Sequence, residues 1–312
     1  MTLSRREVLK AAAGLGALAA LGLPSSRGLG LALPRTSELL MRPIPSSGEK
    51  IPAIGIGTAR RYDVEGSSEE MAVLKEVLAA FAVLGGQVVD TAPSYGRAEI
   101  VVGELVNAIG NRDDLFLATK VRAEGREAGI EQMEESFRRL HTDRVDLMQV
   151  HNLADVETQL ATLREWKAAG RIRYLGITTS FDRQYEDFER VMREQEMDFI
   201  QVNYSLGDRG AGERILPLAA DRGMAVLVNL PYARGRLFQK VGDRPLPEWA
   251  AEFDCESWGQ FFLKFVLSEP AVTCAIPGTA KMTYLEDNLG AARGRLPDPE
   301  LRQRMIALYD SL

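Results

Sequence analysis

The feature that most constrains this chain is its rhythm. Past residue 50, short apolar runs alternate with longer amphipathic stretches. The runs fall at residues 53–57, 87–90, 115–120, 145–150, 173–177, 199–202, 225–229 and 272–276. Each is short and mostly apolar, as parallel strands buried on both faces must be. Between them, Met71, Leu74, Val77, Leu78 and Phe81 repeat at helical spacing. So do Ile130, Met133, Phe137 and Leu140, then Leu160, Leu163 and Trp166 up to Gly170, then Phe188, Val191 and Met192. Eight βα repeats over about 260 residues predict an α/β fold, a (β/α)8 TIM barrel. A doubly wound open sheet is the competing architecture, but Gly55-Ile56-Gly57-Thr58 does not continue into a glycine-rich dinucleotide turn. Two additions decorate the barrel. Met41 to Ile44 and Ile51-Pro52, separated by Ser46-Ser47-Gly48-Glu49-Lys50, read as an N-terminal β-hairpin. Residues 231–256 have poor periodicity and several Pro and Gly, so a long loop is expected after strand seven, on the face where such barrels hold substrates.

Composition narrows the function classes. Lys plus Arg number 38 and Asp plus Glu 44, a formal charge of −6 that offers nucleic acid no general attraction. Two cysteines, Cys255 and Cys274, cannot build a disulfide framework, and two histidines, His141 and His151, leave no His-rich metal centre. No metal is therefore expected in the site.

The first thirty residues stand apart. Ser4-Arg5-Arg6-Glu7-Val8-Leu9-Lys10 precedes an uncharged apolar run from Ala11 to Leu23, and Pro24-Ser25-Ser26 follows. A basic start, a short apolar core and a small polar region resemble a secretory signal peptide of the twin-arginine type. An amphipathic or disordered arm is the alternative. The division expected is a signal and linker over 1–35 and one barrel domain over 36–312. Its partner would be the twin-arginine export machinery and its location the periplasm or extracellular side, with an uncleaved membrane-anchored form also open.

Three consecutive strands end on ionisable groups: Asp90, Lys120 and His151, with Tyr95 five residues beyond Asp90. In a barrel, strand C-termini point at a shared site. A free tyrosine titrates near ~10, too high for an efficient acid at neutral pH. A neighbouring ammonium would stabilise the phenolate, an aspartate would fix that ammonium, and a histidine N–H would orient a carbonyl oxygen. Such a set suits protonation of a carbonyl oxygen while hydride arrives at its carbon. It holds no Ser or Cys nucleophile with a base.

The same residues carry a family resemblance. Val88-Val89-Asp90-Thr91-Ala92-Pro93-Ser94-Tyr95-Gly96 with Glu99 and Gly103, Ala118-Thr119-Lys120-Val121, Asp146 to His151, and Ala275-Ile276-Pro277-Gly278-Thr279 with Asn288 resemble segments of the aldo-keto reductases. The resemblance covers about residues 41–293. It implies NADPH-dependent reduction of aldehyde or ketone carbonyls on small molecules, with NAD as the less favoured cofactor. By it, Tyr95 is the general acid, Lys120 and Asp90 tune it, and His151 orients the substrate. It carries cofactor contacts to Asp90, Thr178, Thr179, Gln201, Asn229, Pro231, Arg234, Gly278, Thr279, Lys281 and Asn288. The chain departs from the family pattern in three places. Thr178-Thr179 replaces Ser-Asn at the carboxamide site, Asn229 replaces a stacking aromatic, and Tyr284 replaces an arginine. Arg60-Arg61-Tyr62, Asn152 and Tyr232 are expected to line the substrate pocket. Two other functions remain open: a non-catalytic NADP-binding sensor or regulatory subunit of this fold, and a lyase using Lys120 as a Schiff base.

Overall fold

The computed structural model describes residues 38–65 and 68–312, and residues 38–312 belong to one compact unit. The expected leader over 1–35 lies outside the described residues.

The hairpin forms as expected, from β1 (Met41–Pro43) and β2 (Lys50–Pro52), with Met41 opposite Pro52. Its turn uses Gly48 at φ 75°, the left-handed region that glycine enters without a Cβ penalty. Eight parallel strands follow: β3 (Ile56–Gly57), β4 (Val88–Asp90), β5 (Phe116–Val121), β6 (Val145–Val150), β7 (Ile172–Thr178), β8 (Phe199–Asn203), β9 (Ala225–Asn229) and β10 (Cys274–Ala275). Each pairs with the next in sequence. Bridges Ile54–Ala275 and Gly57–Gly278 join the first strand to the last and close the (β/α)8 barrel.

Among the described residues, ten α-helices lie between and after the strands. α1 (Ser68–Val83), α2 (Ala98–Ile109), α3 (Arg126–Arg139), α4 (Val156–Ala168), α5 (Tyr185–Glu194) and α6 (Ala211–Asp221) each follow one strand. Their buried stripes include the predicted Leu74, Val77, Leu78 and Phe81 on α1, and Leu160, Leu163 and Trp166 on α4. The segment after β9 is not the single long loop expected. It contains α7 (Arg236–Val241) and a 3-10 turn at Glu248–Phe253 before α8 (Trp258–Leu267). Pro231, Pro245, Pro247 and Gly242 keep these elements short, while burial of Leu237, Val241, Ala250 and Phe253 pins them to the body. α9 (Met282–Ala291) and α10 (Pro299–Asp310) complete the chain, α10 capped by Asp298, which accepts the Leu301 N–H.

Side chains alternate in and out along each strand, and this alternation builds the site. One set of inward residues forms a closed apolar plug: Val88, Phe116, Ala118, Leu147, Tyr174, Phe199, Ala225, Leu227, Cys274 and Ile276, covered from the hairpin by Ile44 and Ile51. The intervening residues, among them Val89, Leu117, Met148, Leu175, Ile200 and Val226, pack with the helices. Continuing the inward set two residues at a time toward the C-terminal ends gives Asp90, Lys120, Gln149, His151, Thr178, Gln201, Asn229 and Gly278. The plug thus changes from apolar to polar along every strand but the first and the last.

Candidate active site

These inward polar residues meet at the floor of a cavity of about 960 Å³ on the C-terminal face. Asp90, Tyr95, Lys120 and His151 all line it. Lys120 Nζ donates to both Asp90 carboxylate oxygens and to the Thr91 carbonyl, each at 2.8 Å. The same ammonium lies 5.0 Å from the centre of the Tyr95 ring. The rings of Tyr95 and His151 meet edge to face, with centroids 5.9 Å apart. Ser94 Oγ and His151 Nδ1 are 3.3 Å apart. Beneath them, Gln149 Nε2 donates to Gln201 Oε1 at 3.0 Å, and Gln201 Nε2 donates to Asp90 at 3.4 Å. This relay ends on Asp90 Oδ2, one of the two oxygens that Lys120 also holds.

Burial sets the electrostatics. It would lower the Lys120 ammonium, but Asp90 and Tyr95 beside it hold the group above its usual value, so it stays charged. Burial pushes the Tyr95 hydroxyl up, and Lys120 only partly opposes this. The expectation that Lys120 brings the tyrosine below its ordinary range is therefore corrected: desolvation of the phenolate outweighs the nearby cation. Burial, with Lys120 and Arg122 as neighbouring cations, takes His151 down to about 3, so the imidazole is neutral. His151 is followed by a turn in which Asn152, Leu153 and Asp155 all have positive φ. Such strain at non-glycine residues persists where surroundings over-determine it. Here the Asn152 side chain accepts the Ser180 N–H at 3.1 Å and its carbonyl accepts from Gln184 Nε2 at 2.9 Å.

The structure sorts the other sequence-predicted residues. Thr178, Gln201, Asn229, Pro231, Arg234, Gly278 and Asn288 line the cavity, as do Arg60, Arg61, Asn152 and Tyr232. Thr179, Thr279, Lys281 and Tyr62 do not. Thr179 follows Thr178 by one residue and so faces outward; its hydroxyl donates to Gln184 Oε1 at 2.7 Å. Thr279 follows Gly278 in the same way and is buried behind the rim, where it accepts from Asn288 Nδ2 at 2.9 Å. Lys281 is exposed, with its ammonium 5.7 Å from the Tyr284 ring. Tyr62 is buried in the core rather than lining the pocket. At the cavity's far end, the Tyr232 hydroxyl donates to Asn288 Oδ1 at 2.5 Å. Residues not anticipated as site members include Asp63, Ser180 and Asp287 on the wall and Gln149 below the floor. Gln149 was legible, since it shares the inward face with Leu147 and His151.

A Tyr–Lys–Asp–His set converging from adjacent barrel strands above such a cavity defines an oxidoreductase architecture, and comparison with known proteins agrees. Residues 53–305 match the aldo/keto reductase family, and the chain belongs to it. It is 32% identical to methylglyoxal reductase YeaE of Escherichia coli over 269 residues, covering 83% of this chain and 92% of that protein. It is also 32% identical to aldo-keto reductase YhdN of Bacillus subtilis over 214 residues, 64% of this chain. The chain spans 63% of the length of YhdN. Among solved structures it resembles an aldo/keto reductase from Klebsiella pneumoniae in complex with NADP and acetate. The TM-score is 0.72 at 25% identity, over 84% of this chain and 93% of that one. These comparisons also correct one expectation. The relatives matched are described as reductases and give no support to export, so the exported and membrane-anchored locations read from the leader do not stand. Among the described residues, no helix is long and apolar enough to cross a membrane.

Proposed function

We propose that the protein is an NADP-dependent reductase of small aldehyde or ketone carbonyls, with Tyr95 as the general acid. The observation that carries this reading is the floor of the cavity, where Asp90, Lys120, Tyr95 and His151 converge. The cavity also fits the cofactor. Its volume of about 960 Å³ is at the upper end of the range for ligand pockets. Arg60, Arg61 and Arg234 line it, guanidiniums of the kind that hold phosphates. Asn229 Oδ1 is a buried acceptor with no partner among the described residues. Asp90, Thr178, Gln201, Asn229, Pro231, Arg234, Gly278 and Asn288 would hold the cofactor, which supplies the hydride when bound.

The remaining chemistry belongs to the chain. Because burial raises the Tyr95 hydroxyl, it keeps its proton through the neutral range, as an acid must. Lys120 stabilises the phenolate as the proton leaves, and Asp90 keeps Lys120 charged and in place. His151 is neutral and carries one ring hydrogen; in the tautomer in which Ser94 donates to Nδ1, Nε2 has the hydrogen that orients the carbonyl oxygen. A charged imidazole there would compete with Tyr95 as proton donor.

Tyr95→Phe tests the assignment. We expect reduction of methylglyoxal and simple aldehydes by NADPH to fall by roughly 10³-fold, with cofactor affinity within about 2-fold of the parent. Full turnover in the variant would remove Tyr95 as the acid. Cofactor binding without turnover in the parent would instead mark a binding subunit.

A further inference from the structure

The cavity is lined unevenly. Its aliphatic side chains beyond Ala59, namely Leu230, Pro231, Ile276 and Pro277, and the Phe238 ring all come from residues 230–238 and 276–277. That side is the one the preceding reading gives to the cofactor. The half around Tyr95 and His151 is polar, and it offers donors. Asn152 Oδ1 accepts the Ser180 N–H, while its Nδ2 has no partner among the described residues. Arg60 and Arg61 line the cavity, and among the described residues neither forms an ion pair or a side-chain hydrogen bond. Arg61 lies against Gly278 on the cofactor side, where a Cβ would meet Arg61 Cγ at 3.4 Å. Arg60 is set apart by its backbone, at φ 65°, a region that a residue with a Cβ enters only at a cost. Such strain persists where the surroundings fix it, and here both ends of the turn are tied to the segment that carries Tyr95. Thr58 donates its N–H and its hydroxyl to the Asp90 carbonyl, each at 3.0 Å. The N–H groups of Arg61 and Tyr62 close the turn onto the Thr58 carbonyl, and the Tyr62 side chain is fully buried. Asp63 Oδ1 accepts the Arg97 N–H at 2.9 Å, and its carboxylate packs against Gly96, the residue after Tyr95. The turn thus carries Arg60 along the segment from Asp90 to Arg97, on the cavity wall that holds Tyr95. The charge around the reacting centre agrees. Asp90 neutralises Lys120, and the charged groups acting on His151 are both cations, Lys120 and Arg122. A guanidinium without a counter-charge on such a wall offers two parallel N–H donors that match a carboxylate.

We infer that Arg60 selects carbonyl substrates that carry a carboxylate, holding that group while the carbonyl oxygen meets Tyr95 and His151. The inference rests on the reading above that this site reduces small aldehydes or ketones, and it names the class among them. Arg60 is then a specificity-determining residue, since it binds the end of the substrate that does not react. The carboxylate fixes the substrate at a second point, so the carbonyl is presented to Tyr95 in one orientation. An uncharged alkyl chain finds no comparable hold, because the aliphatic lining is on the cofactor side.

The test uses the full chain, NADPH and two aldehydes, succinic semialdehyde and butanal, which differ by a carboxylate in place of a methyl group. The quantity read is the ratio of their kcat/KM values, so that intrinsic aldehyde reactivity cancels between parent and variants. The parent should prefer succinic semialdehyde, and the preference should shrink as salt is raised. Arg60→Met keeps an unbranched side chain and removes its charge. The preference should then fall by about 10-fold, chiefly through a higher KM for succinic semialdehyde. Arg60→Lys, which restores the charge without the planar fork, should regain about 3-fold of that loss. An unchanged ratio in Arg60→Met would overturn the inference, as would a parent that reduces butanal as well as it reduces the semialdehyde. A loss shared equally by both aldehydes, with weaker NADPH binding, would put Arg60 on the cofactor and overturn it too. A parent that oxidises NADPH with neither aldehyde would instead sink the reductase reading, and the inference with it.

Discussion

Two lysines are buried in this barrel, and they do opposite things. Lys120, on β5, is 1% exposed and faces a carboxylate, a phenol and an open cavity. Lys264, on α8, is fully buried and faces backbone: its Nζ donates to the carbonyls of Arg293 and Arg295 at 2.7 and 2.9 Å. Asp90 and Tyr95 hold Lys120 above its ordinary value against burial, whereas burial wins at Lys264 and lowers it. Lys264 therefore acts as a clasp, tying α8 to the chain leaving α9. Arg42 does similar work nearby, donating to the carbonyls of Leu267, Glu269, Pro270 and Val272. Burial of a cation thus does not mark a catalytic site. What marks it is a counter-charge together with a reacting group on the same cavity wall.

The largest expected effect breaks the Lys120 side of this comparison. Lys120→Met leaves the Asp90 carboxylate buried without its partner, which costs roughly 3–5 kcal/mol. It also removes the charge that stabilises a Tyr95 phenolate, so turnover should fall by about 10³-fold or more. Adding Asp90→Asn separates the two losses. Denaturant unfolding of the double variant should recover to within about 2 kcal/mol of the parent, because no uncompensated charge remains. Its activity should stay lost. Recovery of activity as well would mean the pair serves stability alone.

Lys264→Met comes next. Two carbonyls lose their donor while one buried charge is removed, so we expect a loss of about 1–3 kcal/mol in unfolding free energy. Turnover should remain within about 2-fold, since the two residues whose carbonyls Lys264 holds lie outside the cavity lining. A selective loss of turnover with unchanged stability would show that the α8 clasp reaches the site and that the contrast with Lys120 is false.

How much of this was legible before the structure follows from the same geometry. The barrel was readable because buried parallel strands leave apolar runs and helices leave stripes, and two runs, Val145–Val150 and Ala225–Asn229, coincide with the observed strands. The four site residues were readable as well, since charged residues at the ends of apolar runs are conspicuous. The terminal strands were less so. β3 and β10 have two residues each, because Gly55 and Gly57 approach the backbone of neighbouring strands closely and the pairing there is reduced to bridges. On the cofactor wall, two adjacent residues of one strand end cannot both face the cavity. In Thr178-Thr179 and Gly278-Thr279 only one member of each pair lines the cavity. Counting by twos from Tyr174 and Cys274, which lie in the interior plug, would have selected Thr178 and Gly278 and set aside Thr179 and Thr279.

That alternation gives the smallest and sharpest prediction. Thr179→Val preserves shape and removes a hydroxyl that serves only the turn beyond β7, through Gln184 and the Phe181 N–H. We expect about 1–2 kcal/mol lost from unfolding, the worth of those two bonds, with NADPH affinity unchanged within about 2-fold. Thr178→Val, one residue earlier and of identical chemistry, should add an effect on binding: affinity falls, while stability loses about 1 kcal/mol for the single Asn152 N–H bond. Two neighbouring substitutions that differ only in which face of β7 they touch would then separate the binding wall from its support. Equal effects at both positions would mean that the β7 rim acts as one unit, and that facing inward is not what selects a cofactor ligand in this barrel.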